Sequence, residues 1–170
     1  MESKNNALRK FYSLLQQKIL HKITNDHSFY KEYLKKVMIQ SFVKLMEHEV
    51  VIKCLERDVK LIESVISDAK KEFQALIKKE LEYSFRLEVK VDKDNYLIER
   101  KLEDHSGVDT KDYEKCEDEV IQKSDEDKKC FGGILVTNSD GLIICKNTLD
   151  VRTQIGYQES LPIIRTNLFK

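Results

Sequence analysis

Apolar and polar positions alternate with a helical period from the start of the chain. Leu8, Tyr12, Leu15, Ile19 and Ile23 recur at steps of four, three, four and four, which places them on one helix face. Leu8 to Ile19 and Tyr12 to Ile23 each span eleven residues, a period that favours slight right-handed supercoiling. Neither proline nor glycine occurs in residues 1–46. The run Asn25-Asp26-His27-Ser28 interrupts the stripe and predicts a bend or a helix restart, with Asn25, Asp26 or Ser28 as the cap. A second stripe follows in Tyr30, Leu34, Val37, Met38, Phe42 and Leu45.

The period then changes. Residues 49–55 are rich in β-branched side chains and predict a strand. Asp58 stands where it caps the next helix, whose stripe is Val59, Ile62, Ile66, Ala69, Phe73 and Leu76. Residues 85–91 alternate, with Phe85, Leu87, Val89 and Val91 on one face and Arg86, Glu88 and Lys90 on the other, as in a sheet with one wet side. Residues 99–129 lose all period and predict a solvated loop. Ile134-Leu135-Val136, a turn at Asn138-Ser-Asp-Gly141 and Leu142-Ile-Ile-Cys145 predict a hairpin of two central strands. A last helix is expected from Asn147 or Thr148 to about Leu168, kinked or restarted at Pro162. The expected fold class is α+β. A helical arm, residues 1–46, precedes a head, residues 47–170, whose small mixed sheet is packed with helices and carries an acidic insertion at 99–129.

Charge sharpens this division. The 170 residues have zero formal net charge, yet residues 1–46 hold nine basic and three acidic side chains, and residues 99–129 hold twelve acidic and seven basic. A basic arm suits nucleic acid, an anionic membrane or an acidic partner helix. Lysines surround the apolar stripe rather than share it, which favours helix pairing over nucleic-acid binding. The four cysteines form no C-x-x-C pair; Cys54 and Cys145 sit in apolar runs and read as buried thiols. No run approaches the roughly 20 apolar residues of a membrane span, so a cytosolic protein with reduced thiols is expected.

Catalytic chemistry finds little footing. Neither phosphate-loop nor dinucleotide spacing occurs, and the histidines at 21, 27, 48 and 105 are scattered. Gly132-Gly133 opens a strand with no helix after it, so close backbone packing explains it better than anion binding. The carboxylates at 117–119 and 125–127 are diluted by lysine and lack calcium-loop spacing. No catalytic residue, cofactor or metal site is expected.

Five ordered segments resemble the E subunit of the vacuolar and archaeal-type rotary ATPases. They are residues 45–58, around Cys54 and Asp58; residues 87–97; Gly132-Gly133 through Gly141; Asn147-Thr148-Leu149-Asp150-Val151-Arg152; and residues 161–169. The likeness runs from about residue 38 to the end. It departs in two places: the family's amino-terminal helix is much longer, and residues 99–129 look inserted. The resemblance implies a non-catalytic stator component of a V-ATPase, peripheral on the cytosolic face of a vacuolar or other endomembrane. Such a protein pairs its helix with the G subunit, meets the B subunit of the catalytic ring and other stator subunits, and binds no nucleic acid. Leu8, Tyr12, Leu15, Ile19 and Ile23 are the candidate partner-helix face. A divergent relative serving as a scaffold, and a basic helical nucleic-acid binder, remain the alternatives.

Overall fold

The structure, a computed structural model, describes residues 2–100 and 129–168. Two helices open it, α1 (Glu2–Asn25) and α2 (His27–Leu45). Asp26 caps α2: its carboxylate accepts from Phe29 N–H at 3.0 Å, from Ser28 Oγ and from Lys22 Nζ. These contacts hold its carboxyl well below the usual aspartate range, Lys22 contributing most. Of the three candidate caps, Asp26 therefore takes the role. Met46, in a left-handed conformation, ends α2 with its N–H on Phe42 O.

Next come β1 (Glu49–Cys54), a 3-10 turn at Glu56–Asp58, α3 (Val59–Leu81) and β2 (Glu88–Val91). β3 (Ile98–Glu99), β4 (Lys129–Cys130), β5 (Gly133–Asn138), β6 (Ile144–Thr148) and α4 (Leu149–Leu168) complete the fold. The main sheet runs β2-β1-β5-β6; β1 is parallel to β2 and antiparallel to β5. α3 is the crossover that a parallel pair requires. The fold is α+β.

α2 and α3 cover one face of the sheet. Leu34, Met38 and Phe42 from α2 meet Ile62 and Phe73 from α3 over Val50, Ile52 and Val136, all essentially inaccessible to water. Phe73 packs edge-on between Phe42 at 5.8 Å and Phe85 at 5.6 Å between ring centroids. α2 thus lies within residues 1–46 and yet builds the core of the head. On the opposite face Val51, Lys53, Leu135 and Lys146 are half-buried and Lys90 is exposed.

Several sequence expectations are corrected. β6 is an edge strand, not a central one; its apolar run is exposed at Ile144 and turns inward only at Cys145. It continues through Asn147 and Thr148, so the last helix begins at Leu149 and runs unbroken through Pro162. Residues 85–87 follow the expected alternation of burial, but ladder bonds form only from Glu88. Glu99 and Lys129, assigned to the loop, belong to the short parallel pair β3–β4, which two-residue strands cannot announce through a period. Residues 101–128 of that loop, with Cys116 and His105, lie outside the described residues.

Replacing Phe73 with Ala removes the ring linking two helices to the sheet. Denaturant unfolding should show a loss of about 3–5 kcal/mol. Leu14→Ala, at an exposed position on α1, should change stability by less than about 0.5 kcal/mol.

Candidate interaction surfaces

Most of the motif residues converge on one end of the sheet, where the arm enters the head. Asp58 occupies the N-cap position of α3, but its side chain makes no capping bond there. It instead accepts a hydrogen bond from Tyr30 Oη at 2.7 Å. The same Tyr30 oxygen accepts from Gly133 N–H at 3.1 Å. One phenol thus ties the first turn of α2 to the head at two points. Burial pushes the Asp58 carboxyl above its ordinary value, against the pull of Tyr30 and Arg57. Burial likewise raises the Tyr30 phenol, and Asp58 adds to the effect.

Gly132 makes this approach possible, and Gly133 makes room for the end of β6. A Cβ on Gly132 would stand 2.7 Å from Tyr30 Oη and 2.9 Å from Leu149 Cδ1. One on Gly133, at φ +90°, would stand 2.7 Å from Asn147 O. Both are closer than carbon and its neighbours tolerate, so these positions demand glycine. Gly132 O also accepts from Leu149 N–H, which seats the first turn of α4.

The remaining motif residues surround this clasp. Asp150 Oδ2 accepts from Phe131 N–H at 2.8 Å, and Arg100 Nη1 lies 3.5 Å from Asp150 Oδ1. Burial raises the Asp150 carboxyl, with Phe131 N–H and Arg100 opposing. Asn147 Nδ2 donates to Ser41 Oγ at 2.8 Å, joining β6 to α2, while the buried Thr148 Oγ1 has no hydrogen-bond partner among the described residues. Cys54 and Cys145 are buried, as expected, and so is Cys130. Burial pushes the Cys54 and Cys130 thiols up to about 12. Arg152 is exposed and lies outside the clasp, where its charge acts on the Tyr33 phenol.

The spacing of Tyr30 gave it a place in an apolar stripe and said nothing of its hydroxyl. Arg57 carried no sequence signal either. It pairs with Glu99 and donates to Phe131 O at 2.9 Å, bridging strands that only long-range pairing creates.

The arm is partly covered by its own chain. Ile23 is buried in the head's core and Ile19 packs against that core, so this end of the predicted seam serves the chain itself. Tyr12 meets Tyr157 of α4 at 4.9 Å, and Leu8 O accepts from Tyr157 Oη at 3.4 Å. Leu8 and Leu15 remain half-buried. The open apolar flank is Leu14, 56% exposed, with the outer edge of Phe11, whose ring stacks on Tyr157 at 6.4 Å, beside Lys10 and Lys18. Among the described residues no helix is long and apolar enough to cross a membrane.

The family model described as ATP synthase (E/31 kDa) subunit matches residues 1–169. The V-type proton ATPase E2 subunit of Arabidopsis thaliana is 32% identical over 151 residues, covering 89% of this chain and 55% of that protein. The E subunit of the Dictyostelium discoideum V-type proton ATPase is 29% identical over 153 residues, 90% of this chain and 54% of that protein. That of Citrus limon is 26% identical over 171 residues, 99% and 62%. The chain spans about half the length of the curated relatives it matches first.

Tyr30→Phe deletes both bonds of the clasp and strands Gly133 N–H and Asp58 in the interior. Unfolding experiments should show a loss of about 1–3 kcal/mol. The raised Asp58 carboxyl contributes stability that is full below the ordinary aspartate value of 3.8 and is lost as pH rises through its folded value. The melting temperature of wild type, relative to Asp58→Asn, should therefore fall as pH rises above the ordinary aspartate value of 3.8. A pH-independent difference would contradict this assignment.

Proposed function

Given that this chain belongs to the ATP synthase (E/31 kDa) subunit family, we propose that it is a non-catalytic, peripheral-stalk component of a V-type proton ATPase. The stalk holds the catalytic ring still while the central shaft turns, so that ATP hydrolysis drives proton transport. The chain works from the cytosolic face of the membrane without entering it. Its arm pairs with a helix of the G subunit, and its head meets the catalytic ring near the B subunit, beside other stator subunits.

The clasp is the observation that carries the mechanical part of this reading. A tether transmits torque only if its arm cannot swivel on its head. Tyr30, bonded at once to Asp58 and Gly133, locks α2, the helix that carries α1, to the rest of the head through short, buried, directional contacts. The asymmetry of α1 supports the pairing part. Tyr157 covers Tyr12 and stacks on Phe11, while Leu14 and much of Phe11 remain open to water. A partner helix lying along Leu8, Phe11, Leu14 and Leu15 removes that surface from water, worth about 25 cal/mol per Å². Lys10 and Lys18 then set register more than affinity, since exposed ion pairs contribute only about 0–1 kcal/mol each.

Mixing the chain with the G subunit should give a far-ultraviolet circular dichroism spectrum more helical than the sum of the two. Phe11→Ser with Leu14→Ser should weaken the pairing about tenfold or more. A spectrum equal to the sum would rule out this pairing. A gel shift with nucleic acid that weakens steeply with salt would move the assignment to the basic-helix alternative.

A further inference from the structure

The outer parts of α1 and α4 meet at Tyr157. Its ring centroid stands 4.9 Å from that of Tyr12 and 6.4 Å from that of Phe11. Phe11 and Tyr12 are successive residues, so they leave α1 about 100° apart. A ring that contacts both, with its Oη 3.4 Å from Leu8 O, lies between them. That is the line of Leu8 and Leu15, the middle of the α1 stripe. A helix laid along this stripe cannot seat fully while Tyr157 is in place.

α4 is fastened at its start and loosely built beyond. Leu149 N–H donates to Gly132 O, and Asp150 accepts from Phe131 N–H. Past that turn Ile155 and Ile163 are exposed. Gly156 weakens an exposed helix, and packing does not require it: a Cβ there would meet nothing within 4 Å. Pro162 supplies no N–H to the turn before it. Thr153, Ile155, Ile163, Ile164 and Thr166 are β-branched, which lowers helix propensity further.

The contact of Tyr157 with α1 is one whose loss strands nothing. Leu8 O lies inside α1 and keeps its intrahelical partner. Tyr157 is only half-buried, so its hydroxyl returns to water. Tyr30 is the contrast, since its departure would leave Gly133 N–H and the Asp58 carboxyl unsatisfied in the interior. One aromatic fastens α2 permanently, and the other rests on α1 reversibly.

We propose that Tyr157 is an autoinhibitory latch, which occupies the centre of the α1 seam in the free chain and gives way to an incoming partner helix. That this helix belongs to the G subunit rests on the stalk reading above. Affinity for the partner then scales with the fraction of molecules whose latch is open.

The test measures association and dissociation rates of the full chain with the G subunit. Tyr157→Ala removes the latch and should speed association about two- to tenfold, the range of an aromatic contact, with dissociation unchanged. Gly156→Ala stiffens α4 and should slow association about two- to fivefold, again with dissociation unchanged. Unaltered association of Tyr157→Ala overturns the latch. So does faster dissociation, which would make Tyr157 part of the partner's seat; both results leave the stalk reading standing. Failure of wild type and both variants to bind the G subunit overturns the stalk reading instead. Amide exchange in the free chain tests the latch without any partner: Tyr157→Ala should speed exchange of residues 8–15 and leave residues 30–45 unchanged. Equal exchange of residues 8–15 in wild type and variant overturns it.

Discussion

A single phenol oxygen fixes α2 against the starts of α3 and β5. Tyr30 Oη donates to the Asp58 carboxylate at the start of α3 and accepts from a backbone N–H at the start of β5. That position is reachable only because Gly132 lacks a side chain, while Gly133 lets β5 lie close against the end of β6. The glycine pair, Asp58 and the first turn of α4 therefore form one constraint. A Cβ on either glycine, or an apolar residue at 58, would break contacts among all three. Outside this junction the core is ordinary close packing of α2 and α3 on a sheet, in which no one side chain decides the arrangement.

This constraint brings together motif residues that lie far apart in the chain and have little chemistry in common. Asp58 and Asp150 are both buried carboxylates with raised pKa values, each held by a backbone or phenolic donor and a nearby arginine. In an enzyme, such groups would face a cleft. Here they face the seams between α2, β5 and α4. Their hydrogen bonds hold elements together, and exposed apolar side chains lie elsewhere, as on the flank of α1.

The helices and the principal strands were legible because burial on one side writes a period into the sequence. The stripes of α2 and α3, the β-branched run of β1 and the turn at Asp140-Gly141 all follow that rule. Legibility failed where geometry depends on residues far apart. Asp58 has the spacing of a cap, and only the arrival of α2 from 28 positions earlier diverts its carboxylate to Tyr30. The strands β3 and β4 exist because Ile98 and Lys129 meet across the intervening segment. β6 looks central because Leu142, Ile143 and Ile144 are consecutive aliphatics, yet exposure there reflects position on the sheet. The seam of α1 was correctly periodic. Its division between the chain's own core at Ile23 and α4 at Tyr12 required the packing of helices distant in sequence.

The central claim is that α2 is locked to the head while α1 waits for a partner helix. Hydrogen–deuterium exchange on the full chain, alone and with the G subunit, tests it most directly. The account predicts that amides of residues 30–45 are protected in the free chain and change little on mixing. Those of residues 6–22 should exchange faster in the free chain and become protected on mixing. Equal, strong protection of both segments in the free chain would contradict it, as would protection gained equally along both.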